Sequence, residues 1–156
     1  MVEAIRPATK DDLSEVAALA RAAVAELSGT KGGRVWARRE GRVEPVEASL
    51  GDAIEDGAVE TLVGTIDDVI VGYAVARVQE LPDGGRLARL TDIYVQPEAR
   101  EVGIGELLLD TVLAWAAEGG CFGVDSIVLP GNRETKNFFE SAGMVARAII
   151  VHRALP

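Results

Sequence analysis

Apolar residues recur along this chain at two spacings, and each change of spacing marks an element. Glu3 to Ala8 alternates weakly and predicts a short strand. Leu13, Val16, Ala17, Ala20, Ala23, Val24 and Leu27 follow the three-and-four spacing of a helix buried along one face, predicting a helix from Asp11 to about Leu27. Thr9 is placed to cap it, Asp11 and Asp12 suit its positive end, and Ser28-Gly29-Thr30 with Gly32-Gly33 stop it. From Lys31 to Gly57 the pattern weakens and predicts one or two short, exposed helices. A basic piece there (Arg34, Arg38, Arg39, Arg42) precedes an acidic one (Glu47, Asp52, Glu55, Asp56). Those arginines are either a solvated face or a dock for an acidic surface. Trp36, the large apolar residue among them, is either a packing anchor or part of a substrate wall.

Val59 to Ile66 and Val69 to Val78 are β-rich runs joined by Asp67-Asp68, the pattern of an antiparallel hairpin. Pro82-Asp83-Gly84-Gly85 then turns the chain into Arg86 to Val95, completing a three-strand meander. A helix from about Val102 to Glu118 ends at Gly119-Gly120, Ser126 to Leu129 reads as a short strand, Arg133 to Ala142 as a helix, and Val145 to Leu155 as one or two closing strands. The order is β, α, meander, α, β, α, β, a mixed α/β class with helices on the faces of one sheet. One domain over 1–156 is expected.

A 48% hydrophobic and 26% charged composition suits a globular protein. The formal charge of −9 argues against general nucleic-acid binding and slightly favours a cationic substrate, although acidic excess also serves solubility. Cys121 is alone, no apolar run reaches the about 18 residues of a membrane helix, and the amino end carries charges where a signal peptide needs an apolar core. A cytoplasmic protein without nucleic-acid, membrane or metal partners is expected.

Chemistry concentrates between Leu90 and Leu109. The turn Arg100-Glu101-Val102-Gly103-Ile104-Gly105 fits R-x-x-G-x-G, follows a strand and opens a helix. That combination presents unpaired N–H groups and a helix N-terminus to an anion such as a pyrophosphate. Neither G-x-G-x-x-G nor a Walker loop occurs. The segment resembles motif A of the GNAT superfamily of acyl-CoA-dependent N-acetyltransferases. Leu90 to Glu98 looks like that family's fourth strand, notably in diamine acetyltransferases, and Asn132 through Met144 is similar to its motif B. The resemblance covers nearly the whole chain and implies a GNAT fold, with a central, mostly antiparallel, twisted sheet of about six to seven strands and helices on both faces. It implies acetyl-CoA as cosubstrate and a primary amine as acceptor, with direct attack in a ternary complex. Backbone groups of Arg100, Glu101, Val102, Gly103, Ile104 and Gly105 would hold the pyrophosphate, Ile93, Tyr94 and Val95 would pair with the pantetheine arm, and Asn132 would bond the arm while also capping its own helix. A homodimer through the C-terminal strands is a further implication.

Two departures stand out. Many family members have a tyrosine where Phe139 stands, able to protonate the departing thiolate, and Glu101 and Glu106 put negative charge beside the phosphates, with Arg133 and Lys136 the nearest offset. Asp92 is the nearest carboxylate for a base or ammonium-binding role, provided a β-bulge re-aims it, since on a regular strand it would face away from Thr91 and Ile93. It reads otherwise as a solvated strand carboxylate or a salt-bridge partner. Glu60 and Glu80 are weaker candidates. His152 reads as a sheet-surface residue and Cys121 as a small buried one. An acyl-CoA-binding module with lost chemistry, or a protein N-acetyltransferase, are the alternative functions.

Overall fold

The three-strand meander forms first in the logic of the chain, because its turns are short and its register local. In the structure, a computed structural model describing all 156 residues, it comprises β2 (Val59–Ile66), β3 (Val69–Glu80) and β4 (Arg86–Val95). Asp67 and Asp68 both adopt positive φ, 48° and 68°, which is the tight two-residue hairpin whose twist matches its strands. Strand β1 (Glu3–Pro7) adds antiparallel to β2, and β5 (Val124–Asp125) adds parallel to β4, giving a five-stranded sheet in chain order.

The pleat sends alternate residues to two cores. Val63, Tyr73 and Val75 face α1 (Leu13–Ser28) and α3 (Val46–Glu55), packing with Val16, Ala17, Ala20, Val46 and Leu50. Leu62, Ala74, Ala76 and Leu90 face α4 (Ile104–Glu118) and α5 (Arg133–Ser141), packing with Ile104, Leu108, Val112 and Phe139. A short helix α2 (Gly33–Arg39) lies between α1 and α3 in sequence. Thr9 begins the first helical segment: its N–H donates to Asp12 at 2.8 Å, and Arg6 clamps the same carboxylate.

The mixed sheet with helices on both faces stands as expected, but with five strands instead of six to seven. Ser126 to Leu129 does not extend β5. The chain leaves β4 after the Arg89–Asp125 pair, and Ser126 Oγ donates to the Leu90 carbonyl at 3.0 Å in place of a ladder bond. Val145 to Leu155 forms no strand either, and its apolar side chains are open to solvent, Val145 83%, Ile149 87% and Val151 90% exposed. β-rich composition measures fit to a half-buried pleated surface, and a two-residue β5 offers no edge for the segment to join. The Lys31–Gly57 region is less exposed than its weak pattern suggests, since α3 buries Val46, Leu50 and Ala53.

Candidate acyl-transfer site

Helix α4 begins close against the sheet because two glycines admit it. A Cβ on Gly64 would lie 2.6 Å from Ile104 Cγ2, and one on Gly72 would lie 3.4 Å from the same atom as well as 2.9 Å from the Tyr94 carbonyl of the neighbouring strand. The approach to the helix is made by Glu101 and Gly103 at φ of 70° and 93°, a left-handed geometry that costs a non-glycine residue and marks a shaped loop. The N–H groups of Glu101, Val102, Gly103, Ile104, Gly105 and Glu106 find no acceptor within the chain. Six donors around a 15-residue helix's positive end form a cradle for an anion. Space above Gly103 is clear, with nothing within 4 Å of where its Cβ would stand.

Beside the cradle, β4 and the chain beyond β5 part. The gap is a cavity of about 80 Å³ lined by Thr91, Asp92, Ile93 and Tyr94 on one side and by Ile127, Leu129, Asn132 and Phe139 on the other. It shares Trp36, Glu40, Thr91, Ser126 and Ile127 with a second cleft of about 280 Å³ toward the start of β5. Strand β4 carries a bulge here: Val75 pairs with Asp92 but Ala76 pairs with Leu90, leaving Thr91 as the extra residue. The bulge turns Asp92 onto the Tyr73 face, where Arg42 grips it as a bidentate partner. Tyr73 donates to Asp92 Oδ2 at 2.8 Å and Thr91 to Oδ1 at 2.7 Å. The pair is nearly closed off from water, with side chains 15% and 9% exposed. Burial opposes the charge of Arg42, but Asp92 outweighs it and holds the guanidinium above its ordinary range. Burial, reinforced by Asp92, pushes the Tyr73 phenol well up, so it stays a neutral donor.

An anion cradle at a helix N-terminus next to two diverging strands is a combination with a family attached, and residues 21–144 match the Acetyltransferase (GNAT) family. The chain belongs to that family. No curated protein matches it in sequence. Among solved structures, the GNAT chain is similar to a tetramutant of the BH1408 protein from Bacillus halodurans, at 22% identity and a TM-score of 0.83 over 99% of this chain and 100% of that one. It is similar to a ribosomal-protein-alanine N-acetyltransferase from Brucella melitensis biovar Abortus 2308, at 19% identity and TM-score 0.73 over 99% and 100%. A third is AAC(6')-Iy in complex with a CoA-S-monomethyl-acetylneamine bisubstrate analogue, at 18% identity and TM-score 0.77 over 100% and 99%.

Within this GNAT chain the cofactor-binding candidates gather as one surface. Ile93, Tyr94 and Asn132 line the cavity, Val95 lies next along the same strand, and Glu101 through Gly105 belong to the cradle beyond it, whereas the Arg100 N–H is spent on the Pro97 carbonyl at 3.3 Å and stands outside the cradle. Asn132 caps α5, its Oδ1 accepting from the Thr135 N–H at 3.3 Å. Arg100 turns its side chain back: Nε donates to the Val95 carbonyl at 2.8 Å, both terminal nitrogens hold Glu26 at 3.0 Å, and the guanidinium lies 5.3 Å above the Tyr94 ring. The Arg100 partner holds the Glu26 carboxyl below its usual range. Glu101 and Glu106 are exposed, as are Arg133 and Lys136. Phe139 is 5% exposed, at the cavity wall and in the core under α5. His152 lies in the exposed tail instead of a strand, Glu80 points to Arg86 at 3.6 Å, and Cys121 is half-buried. Burial raises the half-buried Glu60 carboxyl, but Glu60 lines neither cavity. No group of three or more His, Cys, Asp or Glu side chains is placed to hold a metal ion, and no helix is long and apolar enough to cross a membrane.

Sequence reasoning missed Arg42, Tyr73 and Glu40. Arg42 reads as one of a solvated basic group, but it is the partner of Asp92, 50 residues away. Trp36 has both roles left open for it in part, being half-buried and a wall of both cavities.

Proposed function

We propose that this acetyltransferase moves an acetyl group from acetyl-CoA to a primary amine of a small molecule, by direct attack within a ternary complex, using residues 1–156 as one catalytic domain. The observation that carries the reading is the six-donor cradle at the start of α4, where Gly105 packs beside Val95, the next residue along the strand whose Thr91–Tyr94 line the gap. The residues fit the cosubstrate: backbone N–H groups from Glu101 to Gly105 bind the pyrophosphate, and the free strand edge at Ile93–Val95 and Asn132 bind the pantetheine arm. The cosubstrate supplies the acetyl thioester, whose C–S bond breaks as the N–C bond forms.

The chain's own groups then do three things. A β4 N–H near Ile93 stabilises the developing oxyanion. Trp36, Ile127 and Leu129 exclude water from the gap. Glu40, whose side chain is 15% exposed, lines both cavities and holds Arg39 at 3.2 Å, faces the amine and passes its proton toward solvent. Asp92 has its oxygens engaged by Arg42, Tyr73 and Thr91 and serves here as a positioning residue that fixes the bulge. With Phe139 lacking a hydroxyl, the thiolate leaves unaided, which a thiol of ordinary pKa about 8.5 allows. Phe139 is also the observation that supports the second reading, a module that binds acyl-CoA with weak chemistry.

Titration calorimetry with CoA and acetyl-CoA tests the first reading, and no heat of binding at millimolar ligand would sink it. Thiol release in the presence of amines separates enzyme from binding module. Neighbours of similar fold include an aminoglycoside acetyltransferase solved with sisomicin, so aminoglycosides belong in the panel alongside polyamines, amino acids and peptide N-termini. A cytoplasmic location and a dimer joined through Val145–Leu155 complete the proposal, the latter supported by the unpaired apolar tail.

A further inference from the structure

The cleft of about 280 Å³ differs in charge from the rest of the protein. The chain holds 25 acidic residues against 16 basic ones, yet Arg39, Arg77 and Arg89 line the cleft and Glu40 is its only acid. Arg77 and Arg89 stand directly opposite each other on β3 and β4, a position where like charges repel and weaken a sheet. Each has only a loose acidic neighbour, Arg89 acting on the Asp125 carboxylate through space without a hydrogen bond to it. The nearest carboxylate to Arg77 is Asp56 at 4.0 Å, and Asp125, across from Arg89 on β5, is held by Arg147 of the tail. A destabilising pair kept at a cleft that adjoins the reacting gap is explained by an anion that sits between the two guanidiniums.

On the reading of Thr91–Val95 as the acyl-transfer locus, we propose that the acceptor is a small amine that also carries a carboxylate or phosphate. Arg77 and Arg89 hold the anion, and Glu40, at the junction of the two cavities and ion-paired with the exposed Arg39 at 3.2 Å, exchanges that partner for the ammonium. Guanidiniums suit both anions through paired N–H donors. A polycationic amine would meet three arginines and one carboxylate, and a neutral one would leave the Arg77–Arg89 repulsion in place. The volume is below the roughly 300–1,000 Å³ of drug-sized sites, so the occupant is compact. The overall charge of −9 favours cations in bulk, but the cleft reverses that preference locally.

Thiol release from acetyl-CoA, measured with glutamate, O-phosphoethanolamine, ethanolamine, putrescine and neamine, tests the proposal. The expected result is a kcat/KM for an anionic amine about tenfold to a hundredfold above that for ethanolamine or putrescine. The Arg77→Ala, Arg89→Ala double variant should erase the advantage through KM more than kcat, with Arg89→Lys restoring part of it. Glutamate against O-phosphoethanolamine tells carboxylate from phosphate. Equal or better turnover of putrescine or neamine overturns the proposal, as does an anionic preference that survives the double substitution. If no amine is acetylated, calorimetric titration of O-phosphoethanolamine and glutamate into CoA-saturated protein decides: binding lost in the double variant supports it, and no binding overturns it. A protein that binds CoA but no anionic amine keeps the acyl-transfer reading and loses this one.

Discussion

Arg42 and Asp92 meet inside the molecule with Tyr73 and Thr91 satisfying the remaining carboxylate lone pairs, so each charge depends on the other being present. Arg42→Leu leaves a buried carboxylate without its cation and should cost about 3–5 kcal/mol, whereas Arg42→Leu with Asp92→Leu should recover much of it. Urea unfolding of the two variants checks this. Asp12 behaves differently because it works at a helix start. Its carboxyl is held below the usual range first by Arg6, against a burial that raises it, and next by the Thr9 N–H. A lowered folded-state value means the stabilisation is fully present above the unfolded value of about 3.9 and is lost as pH falls through the folded one. Asp12→Asn should therefore cost about 1–2 kcal/mol at neutral pH, and the gap from wild type should close below about pH 4 in acid unfolding curves. At the cavity wall, Phe139→Tyr adds a hydroxyl that, on the proposed reaction, would donate a proton to the departing thiolate. It is expected to raise kcat by about tenfold or more, read by thiol release at saturating amine.

At the scale of elements, the fit of α4 onto the sheet sets where the anion cradle sits. Gly64→Ala would drive a Cβ into Ile104, whose side chain is 1% exposed and cannot yield freely. The helix start should shift, and CoA affinity should fall about tenfold or more by calorimetry while the far-ultraviolet spectrum is kept. A helix like α4 is legible in sequence because its own spacing and its glycine turn declare it. So are the hairpin at Asp67-Asp68 and the cap at Thr9, which depend on neighbours within a few residues. Arg42 with Asp92, and Arg77 with Arg89, are not legible in the same way. The first pair joins an unpatterned segment to a strand, and the second depends on register past a bulge at Thr91 that no turn residue announces. Ser126–Leu129 and Val145–Leu155 have strand composition, but composition does not say whether a partner edge exists.

For the molecule as a whole, the exposed Val145–Leu155 segment is the largest unsatisfied feature. Light scattering should find a dimer, and Ile149→Glu with Val151→Glu should give a folded monomer. A full-length monomer at all concentrations would remove the dimer from the proposal. The parting of the strands after Arg89 and Asp125 has a different consequence. Two residue pairs are all that join β5 to the sheet, and Phe139 is the one buried residue that pins α5. Apart from the exposed tail, the stretch from β5 to α5 that borders this gap is thus the least firmly attached part of the fold, and amide hydrogens from Val124 through Ser141 should exchange with deuterium well before those of β2 and β3. Addition of CoA, which would bridge β4 and the chain beyond β5, should slow that exchange together with that of the Glu101–Gly105 amides.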